Sequence, residues 1–244
     1  MQKDLTSIIL LNWNNLEEIK LCLRAIKQAT QEPHEVVIVD NGSTDGSSEY
    51  LTTLSGIEYV RPPPPMSFAA ANNLGVKGAQ GEYICILNND TAPIIGWLTA
   101  LKNALKENGR LGVVGPQIVA RQGYIQFSGG VIKSLSEGTT DHLYDALPPH
   151  ALPRVCDYIT GACMFLRREL WDKLGGFDER FDPIFYEDVD LCLRTKQLGY
   201  LCAVVPQSVI MHEVSKTLDR DPQRKQKAIE GNRKRFVEKW VGVK

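Results

Sequence analysis

Short apolar runs alternate with amphipathic segments along the first half of the chain. The apolar runs are rich in β-branched residues, which is typical of buried strands, and the segments between them repeat apolar residues at helical spacing. This order predicts a parallel sheet with crossover helices, and so an α/β sandwich over about the first hundred residues. The predicted strands are Ser7 to Leu11, Glu35 to Val39, Ile57 to Val60 and Tyr83 to Leu87, and the predicted helices are Leu16 to Gln28, Ser47 to Leu54, Phe68 to Gly78 and Trp97 to Glu107.

The second half of the chain has a weaker pattern. The stretch from about Gln117 to Val155 is rich in Gly, Ser, Thr and Pro, which predicts irregular connections and a short hairpin near Ile125 to Ile132. The later segments are an apolar run from Tyr158 to Leu166, a helix from Arg168 to Leu174, an acidic helix from Asp188 to Leu198, a strand from Leu201 to Val205 and a basic helix from Pro222 to Trp240.

Polar residues directly follow three of the predicted strands. The three polar loops are Asn12-Trp13-Asn14-Asn15, Asp40-Asn41-Gly42-Ser43 and Asn88-Asn89-Asp90. Ligands of open α/β sheets bind beyond the carboxyl ends of the strands. We therefore expect the three loops to converge on one polar rim that carries the functional site.

Composition and charge limit the classes of function. The 244 residues are 43% hydrophobic and 23% charged, as in an ordinary globular protein, and the formal net charge of −1 argues against a general nucleic-acid binder. The six cysteines include no CxxC pair, which predicts buried thiols in a reducing compartment. No apolar run approaches the roughly 20 residues that cross a bilayer, and the first residues lack the order of a signal peptide. We expect a cytoplasmic protein.

Two of the polar loops carry carboxylates suited to ligand binding. Asp90, after Asn88 and Asn89, is a hard oxygen ligand that could hold Mg²⁺ or Mn²⁺ against a diphosphate. Asp40 could accept a hydrogen bond from the N3–H of a uracil or thymine base. In each case the alternative is a turn that caps the next helix. The shared rim favours the binding interpretation, and the absence of GxGxxG argues against a dinucleotide site.

The acidic run Glu187-Asp188-Val189-Asp190 begins a predicted helix and follows several aromatic and apolar residues. A carboxylate there would lie in a partly apolar cleft, where desolvation raises its pKa toward that of a general base. The alternative is a surface cluster stabilised by the helix dipole. His212 follows a strand-like run and is a candidate metal ligand, although a lone histidine is more often structural.

Six landmarks along nearly the whole chain resemble the family 2 glycosyltransferases of the GT-A fold, especially their bacterial rhamnosyltransferase-like branch. The landmarks are SIILLNWNN, VVIVDNGSTDGS, FAAANNLGVKGAQGEYICILNND, YITGACMFLRRELWDKLGGFDERF, YEDVDLCLR and VVPQSVIMH. The resemblance implies a Rossmann-like α/β/α sandwich with a mostly parallel central sheet and a C-terminal acceptor-side region.

The resemblance also implies a role for individual residues. It assigns donor binding to Leu11, Asn12, Trp13, Asp40, Asn73, Asn89 and Asp90, metal binding to Asp90 and His212, and catalysis to Asp188 with Glu187. In this assignment the Trp13 ring lies beside the base, and Asn89 lies near the ribose or the diphosphate. Asp188 is the general base, and Glu187 supports it or touches the acceptor.

The predicted function is an inverting glycosyl transfer that depends on Mn²⁺ or Mg²⁺. The donor is a dTDP- or UDP-sugar, and the acceptor is a glycan or a lipid-linked glycan of bacterial polysaccharide synthesis. One alternative is a degenerate transferase fold that binds nucleotide or glycan without turnover. A nucleotidyltransferase is a second alternative, but it would need a Gly-rich, basic loop where Asn12 to Asn15 stand.

The chain divides, in this interpretation, into one catalytic domain and a terminal helix. Residues 1–115 form the nucleotide-sugar half, residues 116–219 form the acceptor and catalytic half, and residues 220–244 form the helix. The last segment carries nine Lys and Arg against three Asp and Glu. Its apolar residues Ile229, Phe236, Val237 and Trp240 could form a stripe that contacts anionic lipid at the inner face of the membrane. The alternative is a helix packed on the domain with a solvated basic face.

Overall fold

A ten-stranded mixed sheet forms the centre of the protein. The computed structural model describes residues 1–63, 65–213 and 222–242. Neighbouring strands follow the order β10-β12-β6-β11-β4-β1-β2-β3, with β5 paired to β12 and β7 paired to β6. The strands of this sheet are β1 Gln2–Asn12, β2 His34–Asp40, β3 Glu58–Val60, β4 Gly81–Asn88, β5 Thr91–Pro93, β6 Leu111–Val119, β7 Ile125–Phe127, β10 Arg154–Cys156, β11 Cys163–Arg167 and β12 Leu201–His212.

The directions of the strands bring distant residues to one rim. β1 is parallel to β2 and β4, and β12 is parallel to β6. β11 is antiparallel to both β4 and β6, so β4, β6 and β12 all run in the same direction. The carboxyl ends of β1, β2, β4 and β12 therefore lie on the same rim as the beginning of β11.

Helices cover both faces of the sheet, because alternate residues of each strand point to opposite faces. Helix α3 packs over the Ile9 face, where a Cβ at Gly75 would lie 2.6 Å from Ile9 Cγ2, so only glycine allows this close approach. Helix α4 lies over the opposite face, where Lys102 Nζ is 5.3 Å from the Tyr83 ring centroid. The helices are α1 Leu16–Ala29, α2 Ser47–Thr52, α3 Phe68–Gly78, α4 Trp97–Glu107, α5 Arg168–Leu174, α6 Glu187–Gln197 and α7 Pro222–Val241.

The predicted irregular region contains more strand than the sequence indicated. β6 extends to Val119, and β7 pairs with it. β8 Gly130–Ser134 pairs with β9 Thr139–His142 in a separate two-stranded sheet. The hairpin predicted near Ile125 to Ile132 is therefore wrong, because the two strands in that range pair with different partners.

The C-terminal helix α7 packs on the domain through its apolar stripe. Phe236 is fully buried, its ring centroid is 5.2 Å from that of Tyr186, and the Trp240 indole donates to Asp190. The helix therefore packs on the domain with a solvated basic face, because Phe236 is covered and Ile229, Val237 and Trp240 are half-buried. The predicted contact with lipid stays a prediction. The predicted boundary at residues 219 and 220 lies outside the described residues.

The structure bears on two predictions that were made from composition, the state of the cysteines and the lack of a membrane-spanning segment. All six cysteines are buried and free. Within the described ranges no helix is long and apolar enough to cross a membrane.

Candidate active site

The three polar loops meet on one rim, as the sequence predicts. In the sheet register Asn12 lies beside Asp40, and Leu11 lies beside Asn88. His212 ends β12 and pairs with Thr91 of β5, which brings it beside Asp90. The sheet thus places residues from four separate parts of the sequence around one point.

A cleft of about 270 Å³ opens over this rim. Four of the predicted donor-binding residues line it: Leu11, Trp13, Asn89 and Asp90. The remaining lining residues are Asn15, Asn41, Gly42, Pro65, Met66, Phe68, Asn88, Pro183, Ile184 and Arg224. Most of the lining residues are apolar or uncharged, and the charged lining residues are Asp90 and Arg224.

Asn12 lies beneath the cleft rather than in its wall. Its side chain is fully buried, its Nδ2 donates to Ser43 Oγ at 3.1 Å, and its Oδ1 accepts from Asn89 Nδ2 at 2.7 Å. The predicted direct contact of Asn12 with the donor is therefore wrong in this structure. Asn12 instead holds the amide of Asn89, which does line the cleft.

Asp40 is also turned inward. Its side chain is fully buried, and a buried carboxylate needs partners for its charge. Oδ1 accepts from the Ser43 N–H at 3.1 Å, and Oδ2 accepts from Tyr59 Oη at 3.0 Å and from Arg61 Nη1 at 2.6 Å. The predicted contact of Asp40 with a base is therefore not present here, because both of its oxygens are occupied by protein groups.

Asn73 connects two loops instead of facing the cleft. Its Nδ2 donates to the Phe177 carbonyl and to Glu179, each at 2.9 Å, and its Oδ1 accepts from the Phe177 N–H at 2.9 Å. Its whole carboxamide is engaged in this way. The structure shows Asn73 fixing the loop after α5 against α3, and its contact with the donor stays a prediction.

Asp90 and His212 form the candidate metal site. His212 Nε2 lies 3.2 Å from Asp90 Oδ1, and both atoms are buried without a hydrogen-bond partner. The backbone holds the pair together, since the Glu213 N–H donates to the Asp90 carbonyl at 3.1 Å. A buried carboxylate oxygen and a buried ring nitrogen that lack hydrogen-bond partners could both bind a cation placed between them. These residues therefore fit a divalent metal.

The protein supplies two of the ligands that such a metal needs. Within the described ranges no group of three or more His, Cys, Asp or Glu side chains surrounds a common point. Hard divalent cations take six or more ligands. The remaining ligands would be other oxygen atoms, such as those of a donor diphosphate or of water.

Asp188 begins helix α6 at the same rim. Its Oδ2 accepts from the Gly161 N–H at 2.9 Å, and its Oδ1 accepts from the Val189 N–H at 2.8 Å. The neighbouring Ala162 carbonyl accepts from the Asn88 N–H at 3.0 Å. One short segment thus joins Asp188 to the end of β4, where Asn88 lines the cleft, although Asp188 is not itself a lining residue.

The surroundings of Asp188 suit a proton acceptor. Burial raises the pKa of the Asp188 carboxyl above its ordinary value, and its two backbone hydrogen bonds act in the opposite direction. Burial lowers the pKa of the nearby His142, while the charge of Asp188 opposes that shift. Burial therefore makes the Asp188 carboxylate a stronger proton acceptor than an exposed aspartate.

A strained turn positions this carboxylate. Phe185 and Tyr186, directly before α6, have φ angles of 85° and 74°, which are left-handed values that such residues rarely adopt. Asn232 of α7 donates to the Ile184 and Phe185 carbonyls at 2.9 and 3.1 Å. The C-terminal helix therefore stabilises the turn that leads into Asp188.

Glu187 does not reach the cleft. Its side chain is 3% exposed, and its Oε2 has no hydrogen-bond partner among the described residues. Burial, and then the charge of Asp188, raise the pKa of Glu187 well above its ordinary value. A contact of Glu187 with an acceptor is therefore excluded in this conformation, and support of the Asp188 turn is the alternative that remains.

Two residues of the site, Arg224 and Gln126, were not predicted from the sequence. Arg224, in the first turn of α7, lines the cleft, and its guanidinium carbon lies 5.8 Å from the Trp13 ring centroid. Gln126 of β7 hydrogen-bonds to His212. The only signal for Arg224 was the basic composition of the terminal helix, and no sequence signal pointed to Gln126.

One protein-family model matches the greater part of this chain. The family described as "Glycosyl transferase family 2" matches residues 7–175, a range that includes the three polar loops and Gly161. The chain belongs to glycosyl transferase family 2. The resemblance inferred from the six landmarks is thereby confirmed.

Several known proteins align with most of this chain. An N-acetylglucosaminyl-diphospho-decaprenol L-rhamnosyltransferase of Mycobacterium tuberculosis is 26% identical over 90% of this chain and 79% of its own length. The O-antigen biosynthesis protein RfbC of Myxococcus xanthus is 32% identical over 76% of this chain, and protein y4gI of Sinorhizobium fredii is 27% identical over 86%. The chain spans 15% of RfbC and 24% of y4gI.

Solved structures confirm the predicted GT-A fold. A crystal structure of GalNAc-T7 with UDP, GalNAc and Mn²⁺ matches with a TM-score of 0.71 at 16% identity, covering 85% of this chain and 42% of that one. The mannosyltransferase PcManGT of Pyrobaculum calidifontis, in complex with GDP-Man and Mn²⁺, matches with a TM-score of 0.59 at 22% identity, covering 87% and 58%. At these identities the likeness shows the fold alone.

Proposed function

We propose that this family 2 chain transfers a sugar from a nucleoside diphosphate to a hydroxyl of an acceptor. The observation that carries the proposal is the pair of unpartnered atoms, Asp90 Oδ1 and His212 Nε2, of which Asp90 lines the cleft. Asp188 is joined to the same rim through Gly161 and Ala162. A donor site needs a place for the diphosphate, and the transfer needs a base on the acceptor side. Both requirements fall on one rim.

The donor lies along the cleft with its base near Leu11 and Trp13. The Trp13 side chain is 39% exposed, so its ring face is available for stacking against a base. The diphosphate then extends toward Asp90. Arg224 provides a positive charge for it, and an Arg–phosphate contact is a strong, charge-assisted one.

The donor is a dTDP- or UDP-sugar in this proposal, although the base contact differs from the one predicted. Asp40 reaches the N3–H of a pyrimidine only if Arg61 or Tyr59 releases one of its oxygens. Gly42 lines the cleft directly, and so does Asn41, whose amide group also pairs with the Met66 backbone at 2.9 Å. We therefore expect the nucleotide preference to depend on the Asp40–Arg61 pair.

The metal in this proposal is Mn²⁺ or Mg²⁺, held by Asp90 and His212. When bound, it supplies positive charge that stabilises the diphosphate as it departs. The two side chains fix its position relative to the cleft. Asn89, held by Asn12, lies directly beside this point.

Asp188 is the general base in this mechanism. Its carboxylate takes the proton of the acceptor hydroxyl as the oxygen attacks the anomeric carbon of the donor sugar, and the bond to the diphosphate breaks in the same displacement. A single displacement inverts the anomeric configuration and forms no covalent sugar–enzyme intermediate. The raised pKa of Asp188 makes it a better proton acceptor than an exposed carboxylate.

The acceptor is a glycan or a lipid-linked glycan of polysaccharide synthesis. For a lipid-linked acceptor, the contact of α7 with the membrane is mainly electrostatic, because Phe236 is buried and Ile229, Val237 and Trp240 are half-buried. Lys227, Arg233 and Lys234 lie on the exposed face of the helix. Sedimentation with anionic and neutral vesicles tests this contact. Binding to anionic vesicles that is lost in high salt and in Lys227→Gln/Lys234→Gln supports it, and equal binding to both kinds of vesicle contradicts it.

Donor binding and turnover, measured together, test the proposed function. Thermal-shift measurements with dTDP- and UDP-sugars, with and without Mn²⁺, detect binding, since a ligand at 100 times its Kd adds about 2.7 kcal/mol to stability. Metal-dependent release of the nucleoside diphosphate detects turnover. His212→Ala is expected to reduce both. Donor binding without any release, in the presence of metal and a panel of acceptors, would favour the non-catalytic binding module.

A further inference from the structure

Gln126 contacts His212 at two points. Its Nε2 donates to the His212 carbonyl at 2.9 Å, and its Oε1 lies 3.1 Å from His212 Nδ1. Antiparallel pairing of β7 with β6 holds Gln126 in place from both sides, through Ile125 opposite Val119 and Phe127 opposite Ile118. A strand outside every motif of the sequence thus reaches the candidate metal ligand.

The contact with the backbone decides which way the amide of Gln126 points. A carbonyl oxygen can only accept, so the Gln126 atom that faces the His212 carbonyl must be the amide nitrogen. The amide oxygen therefore faces Nδ1 of the ring. An amide oxygen can only accept as well, so Nδ1 must carry the proton.

The proton on Nδ1 fixes the state of the other ring nitrogen. In a neutral imidazole with Nδ1–H, the Nε2 atom has a lone pair and no proton. This is the atom that lies 3.2 Å from Asp90 Oδ1 and has no hydrogen-bond partner. The ring is held both in the tautomer and in the orientation that a metal ligand requires.

We propose that Gln126 is the positioning residue of the metal site, which holds His212 in its Nδ1–H tautomer with Nε2 directed at the space beside Asp90. The inference rests on the proposed function for the identity of the bound cation, but the tautomer is a property of the metal-free protein. Without Gln126 the Nδ1–H form loses its acceptor. The proton can then move to Nε2, where Asp90 Oδ1 would accept it. That hydrogen bond would close the site to a cation.

The first experiment reads the tautomer without metal. Long-range ¹H–¹⁵N NMR distinguishes protonated from unprotonated ring nitrogens, and the chain has four histidines, so His212→Ala assigns the signal. At mildly alkaline pH, where histidine is neutral, we expect Nδ1–H in the parent protein and a shift toward Nε2–H in Gln126→Ala. An Nε2–H tautomer in the parent protein, or an unchanged tautomer in Gln126→Ala, would overturn the proposal.

The second experiment measures affinity for Mn²⁺ alone, by the loss of the free-ion electron paramagnetic resonance signal. Loss of a partner that orients a metal-bound histidine typically weakens metal affinity about 10- to 100-fold, and we expect a loss of this size in Gln126→Ala. Gln126→Glu keeps an acceptor for Nδ1–H but loses the donor to the His212 carbonyl, so it should lose less affinity than Gln126→Ala. Equal losses in both variants would contradict a role in positioning the ring.

Controls separate a local effect from misfolding and from failure of the proposed function. Gln122, in the exposed turn before β7, is the matched control, and Gln122→Ala should change neither readout. Thermal melting identifies a variant that has lost its fold, and Gln126→Glu then decides the question. If the parent binds no Mn²⁺ with or without nucleotide, the proposed metal site fails, whereas the tautomer result still confirms or refutes the role of Gln126.

Discussion

Replacement of Asp188 by Asn tests the proposed general base with the smallest change in shape. Asn keeps the size of the side chain but cannot take a proton at neutral pH. Help from a general base is typically worth about 100- to 10,000-fold in rate, or about 2.7–5.4 kcal/mol at 1.36 kcal/mol for each factor of ten. We therefore expect kcat to fall by roughly two to four orders of magnitude.

The structure also predicts a cost in stability for this variant. Both carboxylate oxygens of Asp188 accept backbone hydrogen bonds, from Gly161 and from Val189. Asn has one oxygen, so one of these N–H groups would face an NH₂ group and lose its acceptor. An unsatisfied buried donor costs about 1–3 kcal/mol, which lowers the melting temperature by about 2–12 °C for a domain of this size. The assay temperature must stay below the start of that transition.

The assay compares kcat with donor affinity. Initial rates of nucleoside diphosphate release give kcat, and calorimetric titration with donor and Mn²⁺ gives the donor Kd, which should stay within about threefold because Asp188 acts on the acceptor. Asp172→Asn, in an exposed pair on α5, is the matched control and should change neither quantity. A kcat within about fivefold of the parent, or equal losses of turnover and donor binding, would refute the assignment, since a lost base costs roughly 100-fold or more.

The pH dependence provides an independent check on the same residue. A base works only when ionised, so activity of the parent should rise with pH through the pKa of Asp188. Burial raises that pKa above its ordinary value, so the acid limb should lie at higher pH than for an exposed aspartate. The residual activity of Asp188→Asn should lack this limb. An acid limb that is the same in both proteins would assign it to another group.

Three further variants probe the cleft, the buried glutamate and the support of α6. Arg224→Ala should raise the KM for the donor about 10-fold or more, because a charge-assisted contact contributes about 1.5–3 kcal/mol, and an unchanged KM in steady-state kinetics would remove Arg224 from the donor site. Burial raises the pKa of Glu187 well above its ordinary value. The folded parent therefore holds a proton that the unfolded chain releases, and its stability falls as pH rises above the ordinary glutamate pKa. Glu187→Gln should escape this loss and gain about 1.4 kcal/mol per pH unit relative to the parent until the folded pKa is reached. Denaturant unfolding across that range measures the gain, and parallel stability curves would contradict it. Asp190 is fully buried and forms ion pairs with both Arg194 and Lys239, and Asp190→Ala breaks both pairs. It should cost about 3 kcal/mol, at the low end for a broken buried pair because both cations keep other partners, and lower the melting temperature by about 6–12 °C. A fall smaller than that of Asp172→Ala would show that the pair carries no stability.

Much of the fold could be predicted from the periodicity of apolar residues. Helices α3, α4 and α5 begin and end where the sequence predicted. The Ser67 side chain caps α3 by accepting from the Ala70 N–H, which gives that boundary a physical basis. Strand β6 was missed because its sequence LGVVGPQIV contains two glycines and a proline, which usually mark a loop. Its glycines instead allow close packing, since a Cβ at Gly115 would lie 2.4 Å from Ile159 Cγ2.

The rim of the site could be predicted, but the direction of each side chain could not. Strand order alone brings Asn12, Asp40 and Asp90 together. Which of them faces the ligand depends on partners that arrive from elsewhere, such as Arg61 for Asp40 and Ser43 for Asn12. The same limit applies to Arg224, because its place in the cleft depends on how a distant helix packs.

The last helix of the chain supports the start of α6 in addition to packing on the core. Asn232 donates hydrogen bonds to the Ile184 and Phe185 carbonyls, in the turn before α6. Lys239 and Trp240 bind Asp190, which lies two residues after Asp188. A shortened chain that stopped before α7 would release this turn and leave the Asp190 charge with Arg194 as its remaining cation. Such a protein would lose Arg224 from the cleft wall and keep the other residues that line it. It would also lose the alignment of the carboxylate that must meet the acceptor.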